Sequence, residues 1–171
     1  TRRAATTAAA CSRSDRSLAM PTVVNRHRYL PVHGLRADGS AWSWGPAPKP
    51  LTGRERRPPM PDDAVYVGRG APLGNPFRRE QFGDDAIGLY RRWLAITLGT
   101  QTAEAAMRGV EDVRARWLLA DARPNDPRVM MAMRSIGPDT LLVCSCSPRP
   151  CHGDVVASAW QYLRHIGRLA A

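Results

Sequence analysis

One stretch of eleven residues, 144–154, limits what this chain can fold into. It reads Cys-Ser-Cys-Ser-Pro-Arg-Pro-Cys-His-Gly-Asp and holds three of the four cysteines and one of the four histidines. The apolar run 141–143 precedes it and an amphipathic helical pattern follows it, which predicts a strand, a tight loop and a helix. Loops at the carboxyl ends of strands usually hold the ligands of α/β proteins. The sequence therefore predicts an α/β fold with a functional site in this loop.

The other segments supply the rest of that fold. Short β-favouring runs occur at 22–25 and 64–67. Apolar residues at helical spacing predict helices at about 84–98, 102–120, 127–136 and 154–167. The composition of 1–21, rich in Ala, Thr, Ser and Arg, predicts a disordered tail. Because residues 26–63 are rich in Pro and Arg and show no sustained period, we expect an insertion there, with a short hairpin. We expect one domain over 22–168: a small Rossmann-like sheet of few strands flanked by helices.

The net charge of +10 is unevenly distributed. Residues 26–61 carry six Arg, one Lys and two acids, whereas residues 62–171 carry fourteen Arg and twelve acids. The basic N-terminal third is therefore a candidate nucleic-acid contact, while the rest is nearly neutral. No apolar run is long enough for a membrane span, and the N-terminus lacks the pattern of a signal peptide. We expect a cytoplasmic protein with no membrane partner, and its oligomeric state is left open.

A second loop, which follows the predicted strand at 64–67, is rich in glycine. Three Gly within seven residues permit positive φ and close approach of the backbone to a ligand, and exposed backbone N–H groups can cradle an anion. An arginine adds a bidentate donor and an asparagine can contact a base or a ribose. With the residue that ends the first strand, the candidate ligand-binding set is Asn25, Gly68, Arg69, Gly70, Gly74 and Asn75.

The Cys/His loop admits four chemistries. Cys144, Cys146, Cys151 and His152 form a familiar set of zinc ligands, although their spacing is unusual. Alternatively, Cys151 is a nucleophile at a helix N-terminus, with His152 as general acid/base and Asp154 orienting it or a substrate hydroxyl. A thiol redox pair of Cys146 and Cys151 is a third interpretation, and the helix N-terminus could instead hold a phosphate. If none of these holds, the cysteines are buried apolar residues and Asp154 is a helix cap.

The two loops together resemble a known family. Val-Val-Asn at 23–25, Val-Tyr-Val-Gly-Arg-Gly at 65–70, Gly-Asn-Pro-Phe at 74–77 and the motif at 144–155 are similar to domain of unknown function 4326, a family of bacterial and phage proteins. That family usually has Trp between the first two cysteines, where this chain has Ser145, and it usually lacks the long link between the first two motifs. The resemblance implies a small α/β domain and no established activity.

We expect the two loops to meet at one end of the sheet, where Arg69, Asn75, Cys146, Cys151, His152 and Asp154 would share a pocket. The leading hypothesis is that this pocket binds or processes a nucleotide or nucleoside, with hydrolase or transferase chemistry as the enzymatic form. The alternative is a nucleic-acid or protein-binding module that its Cys/His metal site stabilises.

Overall fold

The computed structural model of this chain describes residues 20–25, 32–35, 41–44, 64–144, 146 and 150–169. The predicted disordered tail, apart from its last two residues, and most of the predicted insertion lie outside these residues. The elements in chain order are β1 (Thr22–Asn25), β2 (Val32–Leu35), β3 (Ala41–Trp44), β4 (Ala64–Tyr66), α1 (Arg79–Phe82), α2 (Asp85–Thr97), α3 (Ala103–Met107), α4 (Val113–Ala120), α5 (Pro127–Arg134), β5 (Leu141–Cys144) and α6 (His152–His165).

The main sheet has three parallel strands in the order β1-β5-β4. All four residues of β5 are buried, as expected for a central strand with continuous apolar sequence. In the register, Asn25 lies beside Cys144 and Tyr66 beside Val143, and the Val67 N–H adds a bond of 3.0 Å to the Val143 carbonyl. The carboxyl ends of all three strands therefore meet at one edge. This architecture confirms the predicted single α/β domain with a small sheet.

The hairpin predicted within the insertion is confirmed. Strands β2 and β3 pair antiparallel, with Val32 opposite Trp44 and Leu35 opposite Ala41. They form a two-stranded sheet of their own.

The prediction of one helix over 102–120 is wrong. The chain forms two helices there, α3 and α4, because Gly109 adopts a φ of +71° and interrupts the helical path. Each piece has its own N-cap: Thr102 accepts the N–H of Ala105, and Asp112 accepts that of Ala115. The signals for this break, Gly109 followed by Asp112, are present in the sequence.

Helix α6 packs closely on the sheet. Its Trp160 is 2 % exposed and donates its indole N–H to the Ile136 carbonyl at 2.8 Å. At its first turn, a Cβ on Gly153 would lie 2.7 Å from Cγ1 of Val23, so the glycine is what lets this end of the helix approach β1. The start of α6 is thereby fixed beside the carboxyl ends of the strands. Among the described helices, none has the length and apolar character that crossing a membrane requires.

The glycine-rich loop is held by two consecutive turns. The Ala71 N–H donates to the Gly68 carbonyl at 3.2 Å, and the Gly74 N–H donates to the Ala71 carbonyl at 2.8 Å. A Cβ on Gly74 would lie 2.5 Å from the Gly68 oxygen and 2.9 Å from the Ala71 oxygen. Because both obstacles are backbone atoms, a larger residue at this position must distort the loop.

We expect Gly74→Ala to lower the free energy of unfolding by about 1–3 kcal/mol, the usual cost of overpacking. Urea denaturation measures this change. Gly88→Ala is the matched control, since Gly88 lies in α2 with no heavy atom near its added Cβ, and we expect it to raise stability by about 0.5–1 kcal/mol. Equal effects at the two positions would contradict the close approach at Gly74.

Candidate functional site

Four side chains capable of binding a metal converge at the carboxyl edge of the sheet. Cys144 is the last residue of β5, Cys146 follows two residues later, Cys151 is the N-cap of α6 and His152 is its first residue. Their ligand atoms all lie within 4.8 Å of one another. Three of the four residues are buried and Cys146 is half-buried. These are the four residues that the sequence predicts as metal ligands.

The distances within the cluster suit a metal better than a disulfide. The sulfurs of Cys144 and Cys146 are 3.0 Å apart, and Nδ1 of His152 is 3.1 Å from the Cys146 sulfur and 3.4 Å from the Cys144 sulfur. A disulfide needs about 2.05 Å between sulfurs, so all three are free thiols. Zinc–sulfur bonds of about 2.3 Å place tetrahedral ligand atoms about 3.8 Å apart. Each of these three contacts would thus lengthen by less than about 1 Å for the cluster to hold such an ion.

The orientation of His152 is set by its second ring nitrogen. Nε2 lies 2.5 Å from the carbonyl oxygen of Val67, at the end of β4. A carbonyl only accepts hydrogen bonds, so Nε2 carries a proton, and in the neutral ring Nδ1 is then a lone pair that faces the thiols. The edge of the buried Tyr90 ring packs against the imidazole at 5.4 Å between centroids. A backbone carbonyl that orients a histidine in this way is a common second partner of histidine metal ligands.

Cys151 is held by the helix that it begins. Its sulfur accepts the Gly153 N–H at 3.2 Å, so it caps the N-terminus of α6 as an oxygen side chain normally would. Partial positive charge at that end of the helix favours a thiolate, although the contact with Cys146 and burial outweigh this effect at Cys151. The sulfur is thus fixed in position before any ligand binds.

Without a metal, the cluster concentrates one negative charge on Cys146. Hydrogen bonds with Cys144 and Cys151 and the neighbouring His152 hold the pKa of Cys146 well below its usual range. The pKa of Cys144 is raised by its hydrogen bonds with Cys146 and Cys151 and by burial. At Cys151 the hydrogen bond with Cys144 lowers the pKa, but the contact with Cys146 and burial outweigh it and raise the value to about 11.

The same cluster raises the pKa of His152. Burial lowers the pKa of His152, but the interaction with Cys146 and the Val67 carbonyl oppose it and leave a net rise. Both shifts favour ionisation at the contact between Cys146 and His152.

A cavity of about 650 Å³ lies beside the cluster. The glycine-rich loop contributes Gly68, Arg69 and Asn75 to its wall, and the Cys/His loop contributes Cys146 and His152. The two loops thus meet at one end of the sheet, and they line one cavity together.

The arginines of this cavity are already paired. Nη2 of Arg69 lies 3.3 Å from Oε2 of Glu80, and Arg79 forms an ion pair with Asp84. All four side chains line the cavity, so its charges balance. Three residues of this cavity were not predicted as site residues: Arg79, Glu80 and Asp84. The only sequence signal for them is their position just after the Gly-Asn-Pro-Phe motif.

Asn75 is occupied by the fold. Its Nδ2 donates to the Ala86 carbonyl at 3.3 Å, and its Oδ1 accepts the Phe77 N–H at 2.8 Å. These bonds fasten the loop to the first turn of α2. Asn75 therefore holds the cavity wall together, and it retains one amide proton and one oxygen lone pair for a ligand.

The remaining predicted residues lie at different places. Gly70 is exposed and has a φ of +86°, which a turn at that position requires. The backbone of Asn25 lies beside Cys144 in the sheet. Cys151 and Asp154 line a second cavity, of about 490 Å³, whose wall α2 and α6 provide. The pocket expected from sequence is thus divided, with these two residues on the other side of the cluster.

The geometry can be compared with known families. The model of domain of unknown function 4326 (DUF4326) matches residues 52–161, well over half of the chain. The chain belongs to this family. The matched range contains the glycine-rich loop and all four Cys/His residues, whereas β1 lies outside it. No curated protein matches the chain, and no solved structure matches it either.

The lowered pKa of Cys146 predicts an unusual pH dependence of alkylation in the metal-free protein. A thiol of ordinary pKa, about 8.5, loses roughly tenfold in thiolate for each pH unit below it. Cys146 should stay a thiolate, so its rate with iodoacetamide should change little between about pH 8 and pH 6. Mass spectrometry of the alkylated peptide measures this rate, with a cysteine peptide of ordinary pKa as control. Parallel loss of rate in both would contradict the thiolate assignment.

Proposed function

We propose that DUF4326 of this chain is a metal-organised binding domain. Its Cys144, Cys146, Cys151 and His152 bind one zinc ion, and the zinc centre builds the wall of a cavity that binds a nucleotide-like small molecule. The observation that carries this proposal is the convergence of three sulfurs and one oriented imidazole nitrogen within 4.8 Å. Soft thiolate ligands with one imidazole favour zinc over the hard cations.

A zinc ion here would act through structure. With four protein ligands the tetrahedral shell is complete, which is typical of structural sites and leaves no open position for a substrate. The ion would connect the end of β5, the start of α6 and, through the Val67 carbonyl bonded to His152, the end of β4. Those are the elements that carry both loops of the cavity.

We expect about one zinc per chain in the purified protein, by metal analysis. Cys144→Ser, Cys151→Ser and His152→Asn should each reduce zinc occupancy strongly, and a strong chelator should lower the melting temperature of the parent protein. Cys11→Ser and His165→Asn are matched controls, because His165 is exposed at the end of α6 and Cys11 lies outside the described residues. A metal content that the three ligand substitutions leave unchanged would refute the site.

The tautomer of His152 offers a separate test of its role. In the zinc-loaded protein we expect Nε2 to carry the proton and Nδ1 to bind the metal, since Nε2 faces the Val67 carbonyl. Long-range ¹H–¹⁵N NMR correlations distinguish the two nitrogens, and His165, which is exposed and lies outside the cluster, provides the reference. A protonated Nδ1 with zinc bound would contradict this assignment.

The proposed ligand of the cavity follows from its size and lining. About 650 Å³ lies within the range of small-molecule sites. Arg69 offers a guanidinium fork, and Asn75 keeps hydrogen-bonding capacity. Because Glu80 already pairs with Arg69, a phosphate must displace a carboxylate to bind. The balanced charges therefore favour a nucleoside or a nucleoside monophosphate over a more highly charged nucleotide.

The paired charges predict opposite effects of two substitutions on binding of nucleoside monophosphates. Arg69→Gln should weaken binding by roughly tenfold or more, since it removes a charge-assisted contact. Glu80→Gln should tighten binding by roughly twofold to fivefold, since the phosphate no longer competes with a carboxylate. Isothermal titration calorimetry with AMP, GMP, CMP and UMP measures both. Arg78→Gln is the control: Arg78 is exposed and does not line the cavity, and equal effects at Arg69 and Arg78 would contradict the proposed contact.

Hydrolase or transferase chemistry through Cys151, His152 and Asp154 has less support. Cys151 is buried as a helix cap, and both nitrogens of His152 face partners within the fold. The Asp154 carboxylate is exposed, lines the second cavity and makes no hydrogen bond or ion pair with another described residue. The expected nucleic-acid contact through 26–61 stays a prediction.

A further inference from the structure

We propose that Cys146 is a peroxide-reactive thiol whose oxidation to a disulfide with Cys144 releases the metal. The pair is identified by geometry. Their sulfurs are 3.0 Å apart, and the N–H of Cys146 itself donates to the Cys144 sulfur at 3.3 Å. Bond formation therefore needs about 1 Å of further approach.

Access selects Cys146 as the residue that reacts first. It is the half-buried member of the cluster, whereas Cys144 and Cys151 are 1 % and 5 % exposed. Cys144 and Cys146 both line the cavity of about 650 Å³, through which hydrogen peroxide can enter, so the greater exposure of Cys146 is what distinguishes it. Thiol oxidation follows exposure and thiolate character, and a thiolate bound to a metal is already deprotonated.

The second thiol is Cys144. It touches Cys146 directly and, although it also lines the cavity, it is only 1 % exposed at the end of β5, so peroxide reaches it less readily than Cys146. Cys151, by contrast, is fixed at the N-cap of α6 by the Gly153 N–H. A resolving thiol that is protected from the oxidant and in contact with the reactive one is the arrangement that redox-sensing cysteines use.

The reaction balances with hydrogen peroxide as the oxidant. The Cys146 thiolate attacks one peroxide oxygen, the O–O bond breaks, and hydroxide leaves and takes up a proton as water. Cys144 then attacks the sulfur of the resulting sulfenic acid, the S–S bond forms, and a second water leaves. The two sulfurs together give two electrons to the peroxide. The metal then has only two ligands left in this site, Cys151 and His152, and two ligands are too few to hold zinc tightly.

The metal-release half of this inference rests on the proposed zinc site, whereas the thiol pair does not. The test therefore measures zinc and thiols separately on the full chain. Zinc-loaded protein is treated with hydrogen peroxide, released zinc is followed with a chromogenic chelator, and free thiols are counted. We expect one zinc released for every two thiols lost. Dithiothreitol followed by zinc should restore both.

Differential alkylation with two reagents then locates the disulfide by mass spectrometry. We expect Cys144 and Cys146 to be protected after oxidation and Cys151 to stay free, in a measurement that needs no variant. Cys11→Ser is the control for the thiol count: the cluster contributes three free thiols, so the count in that variant should fall from three to one. If Cys11→Ser loses as much zinc and as many thiols as the parent protein, Cys11 is not the source of the lost thiols.

The outcomes separate the two proposals. Zinc that stays bound while the thiols survive peroxide overturns the redox inference and leaves the zinc site intact. Protein that never holds zinc refutes the zinc site, and formation of the 144–146 disulfide in it still supports the thiol pair. A disulfide that includes Cys151, or oxidation of Cys146 beyond sulfenic acid without a disulfide, overturns the pairing.

Discussion

The site depends on one hydrogen bond, from Nε2 of His152 to the carbonyl of Val67. It joins the first residue of α6 to the residue that follows β4, and these two residues lie far apart in the sequence. The central strand β5 brings Cys144 to the same edge, because parallel strands end together. With one nitrogen committed to the carbonyl, the other can face only the thiols. The fold thus presents a histidine whose second nitrogen already contacts the sulfurs of Cys144 and Cys146.

The charge of the cluster supports the proposed metal ion. Three thiols in a largely buried site can ionise together only if positive charge compensates them. Within the described residues, His152 supplies at most one positive charge, and the nearby guanidinium of Arg69 is directed to Glu80 instead. The metal-free compromise is a single thiolate at Cys146. A divalent cation removes this conflict, since it allows all three thiols to ionise while the imidazole stays neutral.

Local features of the sequence predicted much of this arrangement. The apolar run before Cys144, the helical pattern after Gly153 and the glycines of the first loop located both loops, because strand and helix signals are short-range. The contacts that give the site its chemistry join residues far apart in sequence. The acceptor for His152 is a backbone carbonyl, and since every residue has one, no residue type identifies it in the sequence. The pairing of Arg69 with Glu80 depends on where α1 lies relative to the loop. The break at Gly109 differs from these contacts, because Gly109 and the capping Asp112 are local signals for it. The apolar spacing across 102–120 favoured one continuous helix instead.

The cluster also lies between two cavities, which gives a metal there influence on both. Cys146 and His152 line the larger cavity, while Cys151 lines the smaller one, and Ile87 and Pro150 belong to both walls. Ligands drawn toward a common ion would hold these walls at fixed separation, whereas without one the sulfurs contact each other only through weak thiol hydrogen bonds. Since Pro150 directly precedes Cys151, any displacement of that sulfur moves a residue that both cavities share. With the proposed metal ion, the oxidation state of the thiols and the shape of both cavities would therefore be linked through the same few atoms.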